Sequence, residues 1–126
     1  LFGWAAARFR LDGFLHWGLN QYREDQDPFR MNVIPNWGGG ASANALPPGD
    51  THVIYPGRGA PWSGLRFEAQ REGCEASELL SQLHARSPRA AVTTATRALQ
   101  GVDHYVKDVK AFRAARRALL KALARE

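Results

Sequence analysis

The 126 residues carry 44% apolar and 23% charged side chains and a formal net charge of +5, which suits one modest globular domain. No apolar run approaches the roughly 20 residues needed to span a bilayer, and no basic–apolar–small leader is visible. Cys74 is the single cysteine, so no intrachain disulfide can form. With nothing nearby to lower its pKa, it reads as a small helix-packing residue rather than a nucleophile.

In chain order, Phe2, Ala5, Ala6 and Phe9 recur at helical spacing with Arg8 and Arg10 off the stripe, so Leu1–Arg10 reads as the end of a helix. Leu1 opens mid-pattern, without Met or cap, and the chain reads as the C-terminal part of something larger. Asp12-Gly13 is turn chemistry. Gly13–Trp17 follows as a short apolar run, expected to be a strand buried on both faces, as in a parallel sheet. Residues 24–62 form a long irregular stretch rich in Gly, Pro and Asn, a length that usually marks a functional or disordered loop. Within it, Thr51–Tyr55 reads as a second short strand, stopped by Pro56-Gly57.

Three helical segments are expected next. Ser63 is the predicted N-cap of the first, which runs to about Arg86, with Leu65, Ala69, Glu72, Ala76, Leu79, Leu80 and Leu83 on its inner stripe. Gly73 inside that helix costs about 1 kcal/mol relative to Ala, which points to close packing there. Ser87 caps the second, with Pro88 at its first position, where a missing N–H does no harm. Val92, Ala95 and Leu99 are expected to face inward, and Gly101 to end the helix. Val102, Tyr105, Val106, Val109, Phe112, Leu119, Leu120 and Leu123 mark the third, either as one helix or as a turn followed by a helix capped by Asp108. Residues 88–126 read as a helical tail distinct from residues 1–87.

Charge is unevenly placed. Residues 1–87 hold eight arginines against nine acids, whereas residues 88–126 hold nine lysines and arginines against three acids. A basic helix can touch nucleic acid or acidic lipid. The tail lacks aromatic–basic alternation and any helix-turn-helix or zinc spacing, so it reads as a solvated outer face, with neither nucleic acid nor membrane expected as a partner.

A buried strand cannot satisfy its own backbone and needs neighbours on both sides. Thr51–Tyr55 is the one other strand candidate, and a two-stranded sheet is marginal alone. The expectation is therefore an α/β piece whose remaining strands come from missing N-terminal sequence or from another chain. At the end of the first strand, Trp17 offers a sugar an apolar ring face, and Asn20 offers an amide donor and acceptor.

Asp12–Asn20 (DGFLHWGLN), Gly49–Gly57 (GDTHVIYPG) and Ser63–Gly73 (SGLRFEAQREG), in this order and spacing, resemble one family. It is the domain of unknown function 4091, which is similar to the C-terminal part of the catalytic region of glycoside hydrolase family 123. The resemblance covers about Leu1 to Leu83 and weakens in the helical tail. It implies a (β/α)8 barrel with Gly13–Trp17 as last strand and the helix from Gly64 as last helix, its active face at the C-terminal strand ends. It also implies an N-acetyl-β-galactosaminidase-type activity with retention, in which the substrate's 2-acetamido oxygen is the nucleophile and an adjacent Asp-Glu pair orients that amide and protonates the leaving oxygen.

That pair has no matching position in this chain. Glu24-Asp25 stand in reverse order in a loop after the expected last strand and read as solvated acids. No catalytic residue is therefore assigned, and the chain alone is expected to be inactive. Near Arg71–Ala76 the sequence departs from the family's usual Arg-Asp-Gly-Ile-Glu-Asp, a change that bears on helix packing. The substrate-binding candidates are Trp17, Asn20, Tyr22, Asp50 and Tyr55, for an amino-sugar glycoside. Trp17 reads either as a sugar platform or as barrel core, and Asn20 either as a loop tie or as a hydroxyl ligand. Trp37 and Trp62 are loop tryptophans that could anchor the loop or carry a sugar. Arg66 and Arg71 read as structural ion-pair residues. His16 reads as a satisfied buried histidine and His52, His84 and His104 as surface residues, without metal-ligand spacing. No cofactor or metal is implied. The rival readings are a non-catalytic carbohydrate-binding or scaffold domain and an interaction module acting through the basic C-terminal helix.

Overall fold

The computed structural model describes residues 1–31 and 47–125; Trp37 and the Gly38–Gly40 run lie outside them. The chain forms two compact units, one of Leu1–Phe14 with Gln70–Glu126 and one of Leu15–Ala69. The described elements are α1 (Phe2–Phe9), β1 (Ile54–Tyr55), β2 (Trp62–Ser63), α2 (Leu65–Arg86), α3 (Pro88–Thr96) and α4 (Val109–Leu123). The described chain is thus mostly helical, with one two-stranded antiparallel ladder that pairs Ile54 with Ser63 and Tyr55 with Trp62. Among the described residues, no helix is long and apolar enough to cross a membrane.

The first unit is built around an alanine-rich helical core. Trp4 of α1, Ala76, Leu80 and Leu83 of α2, Ala91 and Ala95 of α3, and Ala115 and Leu119 of α4 form one buried cluster with Ala98, which follows α3. Each fully buried leucine contributes roughly 1.5–3 kcal/mol relative to an exposed one. Alanines let the helices approach, and Trp4 fills the centre, its ring edge-on to Phe112 at 5.7 Å. The close approach expected at Gly73 is present: a Cβ there would lie 2.9 Å from Phe2 Cε1, and a Cβ on Gly3 would lie 1.7 Å from the Gly73 carbonyl oxygen. The backbones of α1 and α2 therefore meet glycine to glycine.

The caps form where the sequence places them for α3 and α4. Ser87 accepts from the Ala90 N–H with Pro88 at the first turn, and Asp108 accepts from the Ala111 N–H. The turn-then-helix alternative holds for the last segment: α3 stops at Thr96, ahead of Gly101, and an isolated bridge between Leu99 and Tyr105 ties the intervening turn. Arg10 closes α1 in the left-handed conformation.

Several expectations are corrected. Gly13–Trp17 is not a strand: Phe14 is 59% and Leu15 85% exposed. A ladder needs a partner, and among the described residues nothing pairs with this run. Phe14 instead stacks on Phe2 at 5.0 Å, and the Gly18 N–H turns back to His16 Nδ1. Ser63 does not cap α2, because its backbone is committed to β2. Leu65, in the first turn of α2, is exposed rather than part of the inner stripe. Val92 is likewise exposed, and Cys74 projects outward rather than into the packing. The strand expected over Thr51–Tyr55 shortens to Ile54–Tyr55, with Thr51, His52 and Val53 buried ahead of it.

Candidate functional site

The five sequence-derived candidates all belong to the unit Leu15–Ala69. A tight turn holds Asp50: its N–H donates to the Pro47 carbonyl at 3.0 Å, and Gly49 adopts φ +80°, a conformation that side-chain-bearing residues rarely take. A Cβ at Gly49 would also run into the Arg66 guanidinium at 2.1 Å. Asp50 Oδ2 accepts from Trp17 Nε1 at 2.8 Å, while His16 Nε2 lies 3.6 Å from Oδ1. The carboxylate thereby fixes the indole edge and leaves Trp17 45% exposed. A carboxylate has about four acceptor positions, so Asp50 retains acceptor capacity beyond these two contacts.

His52 is the centre of this unit. It is completely buried, which corrects its reading as a surface residue. Asn20 pairs with it through an isolated antiparallel bridge, and the Val53 and Ile54 N–H groups both donate to the Leu19 carbonyl. Thr51 Oγ1 lies 3.0 Å from Nδ1 and Gln26 Nε2 lies 3.2 Å from Nε2. The Tyr22 ring stands edge-on at 4.8 Å and the Tyr55 ring at 6.2 Å. Burial pushes the imidazole below its ordinary pKa range. The Met31 carbonyl opposes that shift, and the positive charge of Arg66 adds to it. His52 is consequently a neutral packing and hydrogen-bonding hub.

The Tyr22 hydroxyl donates to the Ile54 carbonyl, and burial, with Tyr55 adding, raises its pKa. That phenol ties strand β1 and retains acceptor character only. Tyr55 stacks on Phe29 at 5.3 Å, and Phe29 meets Trp62 edge-on at 6.0 Å. Phe29, Tyr55 and Trp62 thus form an aromatic cluster in which Phe29 is 57% and Trp62 56% exposed. Asn20 is exposed. His16 is a partly exposed partner of Asp50 rather than a buried histidine.

Glu24 and Asp25 are exposed, and Asp25 pairs with the neighbouring Arg23 at 3.1 Å. In the other unit, Arg71 pairs with Glu75 at 2.8 Å, the structural role expected of it. Among the described residues, no group of three or more His, Cys, Asp and Glu side chains is arranged to hold a metal ion.

Residues 1–83 match the family described as glycoside hydrolase 123, catalytic domain. The chain belongs to this family. No curated protein matches it. In this glycoside hydrolase 123 chain, all the candidates from Trp17 to Tyr55 fall inside the matched stretch, as do His52, Gln26 and Phe29, which composition and spacing did not single out. The signal for His52 was its place between Thr51 and Val53, where a short β-prone run buries three successive residues.

Proposed function

We propose that this chain supplies one wall of an amino-sugar site in a protein that hydrolyses terminal N-acetyl-hexosaminides of the N-acetyl-β-galactosaminide type. Retention would arise from attack by the substrate's own 2-acetamido oxygen. The acid and the amide-orienting carboxylate come from outside this chain, and the chain alone is inactive. In the same reading the chain closes a (β/α)8 barrel, with the apolar segment before Trp17 pairing once flanking strands are supplied.

The observation that supports this best is the Trp17–Asp50 hydrogen bond in a chain of this family. It holds an indole by its edge and leaves ring surface exposed, the arrangement that stacks on the apolar face of a pyranose. Asn20, Tyr22, Tyr55 and the remaining acceptor capacity of Asp50 supply the polar contacts that orient the sugar.

The test is titration of the purified chain with N-acetylgalactosamine, followed by tryptophan fluorescence, beside Trp17→Ala. Saturable quenching that Trp17→Ala abolishes is expected, with no hydrolysis of an aryl N-acetyl-galactosaminide by the chain alone. Hydrolysis by the chain refutes the division of labour. Unchanged quenching in Trp17→Ala refutes the platform. Sugar binding in a longer protein that lacks any Asp-Glu pair assigns the site to a non-catalytic carbohydrate-binding domain.

A further inference from the structure

Outside the family-matched residues, α3 and α4 enclose a surface groove of about 460 Å³. Arg89 and Arg97 line it from the α3 side and Lys121 and Arg125 from the α4 side, and Ser87 and Thr93 also line it. Thr94 and alanines complete the lining, so it contains four cations and no acid. All four cations are exposed, and among the described residues none has a carboxylate within ion-pair distance. Arg116 of the same helix α4 behaves differently: it is spent on Glu72 and Glu75 at 3.7 and 3.3 Å. Basicity on this unit is therefore partly neutralised elsewhere and left unpaired in the groove.

We infer that this groove binds an acidic polysaccharide, with its sulfate or carboxylate groups on Arg89, Arg97, Lys121 and Arg125. Arginine forks match such oxyanions bidentately, and the serine and threonine hydroxyls of the same lining suit sugar hydroxyls. Arg89 and Arg97 stand eight residues apart, about 12 Å along a helix axis, which spaces the charges for an extended chain rather than a single small anion. The lining has no aromatic ring on which the bases of a single strand could stack, and its apolar residues are alanines, too small to anchor in a bilayer. The inference takes the family membership but stands apart from the amino-sugar reading, since Trp17 and its neighbours play no part in it.

The test measures binding of the full chain to heparin, polygalacturonate, duplex DNA and phosphatidylserine vesicles at one salt concentration. Arg89→Glu/Arg97→Glu is compared with Lys110→Glu/Arg113→Glu, which makes the same change in net charge away from the groove. Helicity by circular dichroism checks both variants. Arg89→Gln/Arg97→Gln replaces the groove variant if that one unfolds. The expected result is polysaccharide binding weakened about tenfold or more by the groove change, the scale of a few exposed ion pairs, and held within about twofold in the control. Preference for heparin identifies sulfate as the ligand group, and preference for polygalacturonate identifies carboxylate. Equal weakening in both variants, failure to bind either polysaccharide, or tighter binding to DNA or vesicles overturns the inference.

Discussion

Replacing Gly3 by alanine tests the glycine-to-glycine crossing of α1 and α2. The added Cβ would lie 1.7 Å from the Gly73 carbonyl oxygen, whereas an ordinary carbon–oxygen contact is about 3.3 Å. The obstacle is backbone, so α1 must shift by roughly 1.5 Å and Trp4, which is 1% exposed, must lose part of its packing. Overpacking of this kind costs up to about 3 kcal/mol, offset by about 1 kcal/mol from the better helix propensity of alanine. The net loss is about 2 kcal/mol, or a fall in Tm of roughly 5–10 °C. Gly73→Ala is the internal control. Its Cβ would meet the Phe2 ring at 2.9 Å, a side chain that can swing aside, so the propensity gain roughly cancels the clash. Urea unfolding followed by far-ultraviolet circular dichroism compares the two. If Gly3→Ala is neutral or stabilising, as an exposed glycine-to-alanine change in a helix would be, the crossing does not exist and the reasoning fails.

Three other outcomes are expected. His52 is held neutral with a folded pKa below its unfolded value of about 6.5. Its contribution to stability is therefore fully present above that pH and is lost as pH falls from there through the lowered folded value. Urea midpoints followed by tryptophan fluorescence should drop on acidification below about pH 6.5, and His52→Gln should flatten the dependence. Asp50→Ala releases the Trp17 indole and should cost about 1 kcal/mol, with a change in Trp17 emission read by comparison with Trp17→Phe; identical spectra would contradict the hydrogen bond. Ser87→Ala and Asp108→Ala should each destabilise by about 1 kcal/mol in urea titrations, because each removes the acceptor for an otherwise unpaired helix N–H.

Local chemistry made much of this chain legible before any coordinates. Ser87-Pro88 and Asp108 announce the starts of α3 and α4 because a cap is decided by a residue and the N–H groups within three positions of it. Gly73 announces a close approach because a glycine inside a long helix costs free energy that packing must return. The three blocks around Trp17, Asp50 and Arg66, by their order and spacing, carried the family resemblance, which the match over residues 1–83 bears out at the level of glycoside hydrolase 123.

What sequence could not decide depends on partners distant along the chain. Gly13–Trp17 has the composition of a buried strand, but strand formation requires a ladder, and pairing occurs instead at Asn20 and His52. Ser63 has cap chemistry and is drawn into β2 by Ile54. His52 looks like an ordinary polar residue until Tyr22, Gln26, Thr51 and Tyr55 close around it. The groove of Arg89, Arg97, Lys121 and Arg125 exists because two helices lie side by side. Propensities and caps act over a few residues and can be read from order alone, whereas burial, pairing and the summation of charge are properties of neighbours in space, which the tertiary structure alone supplies.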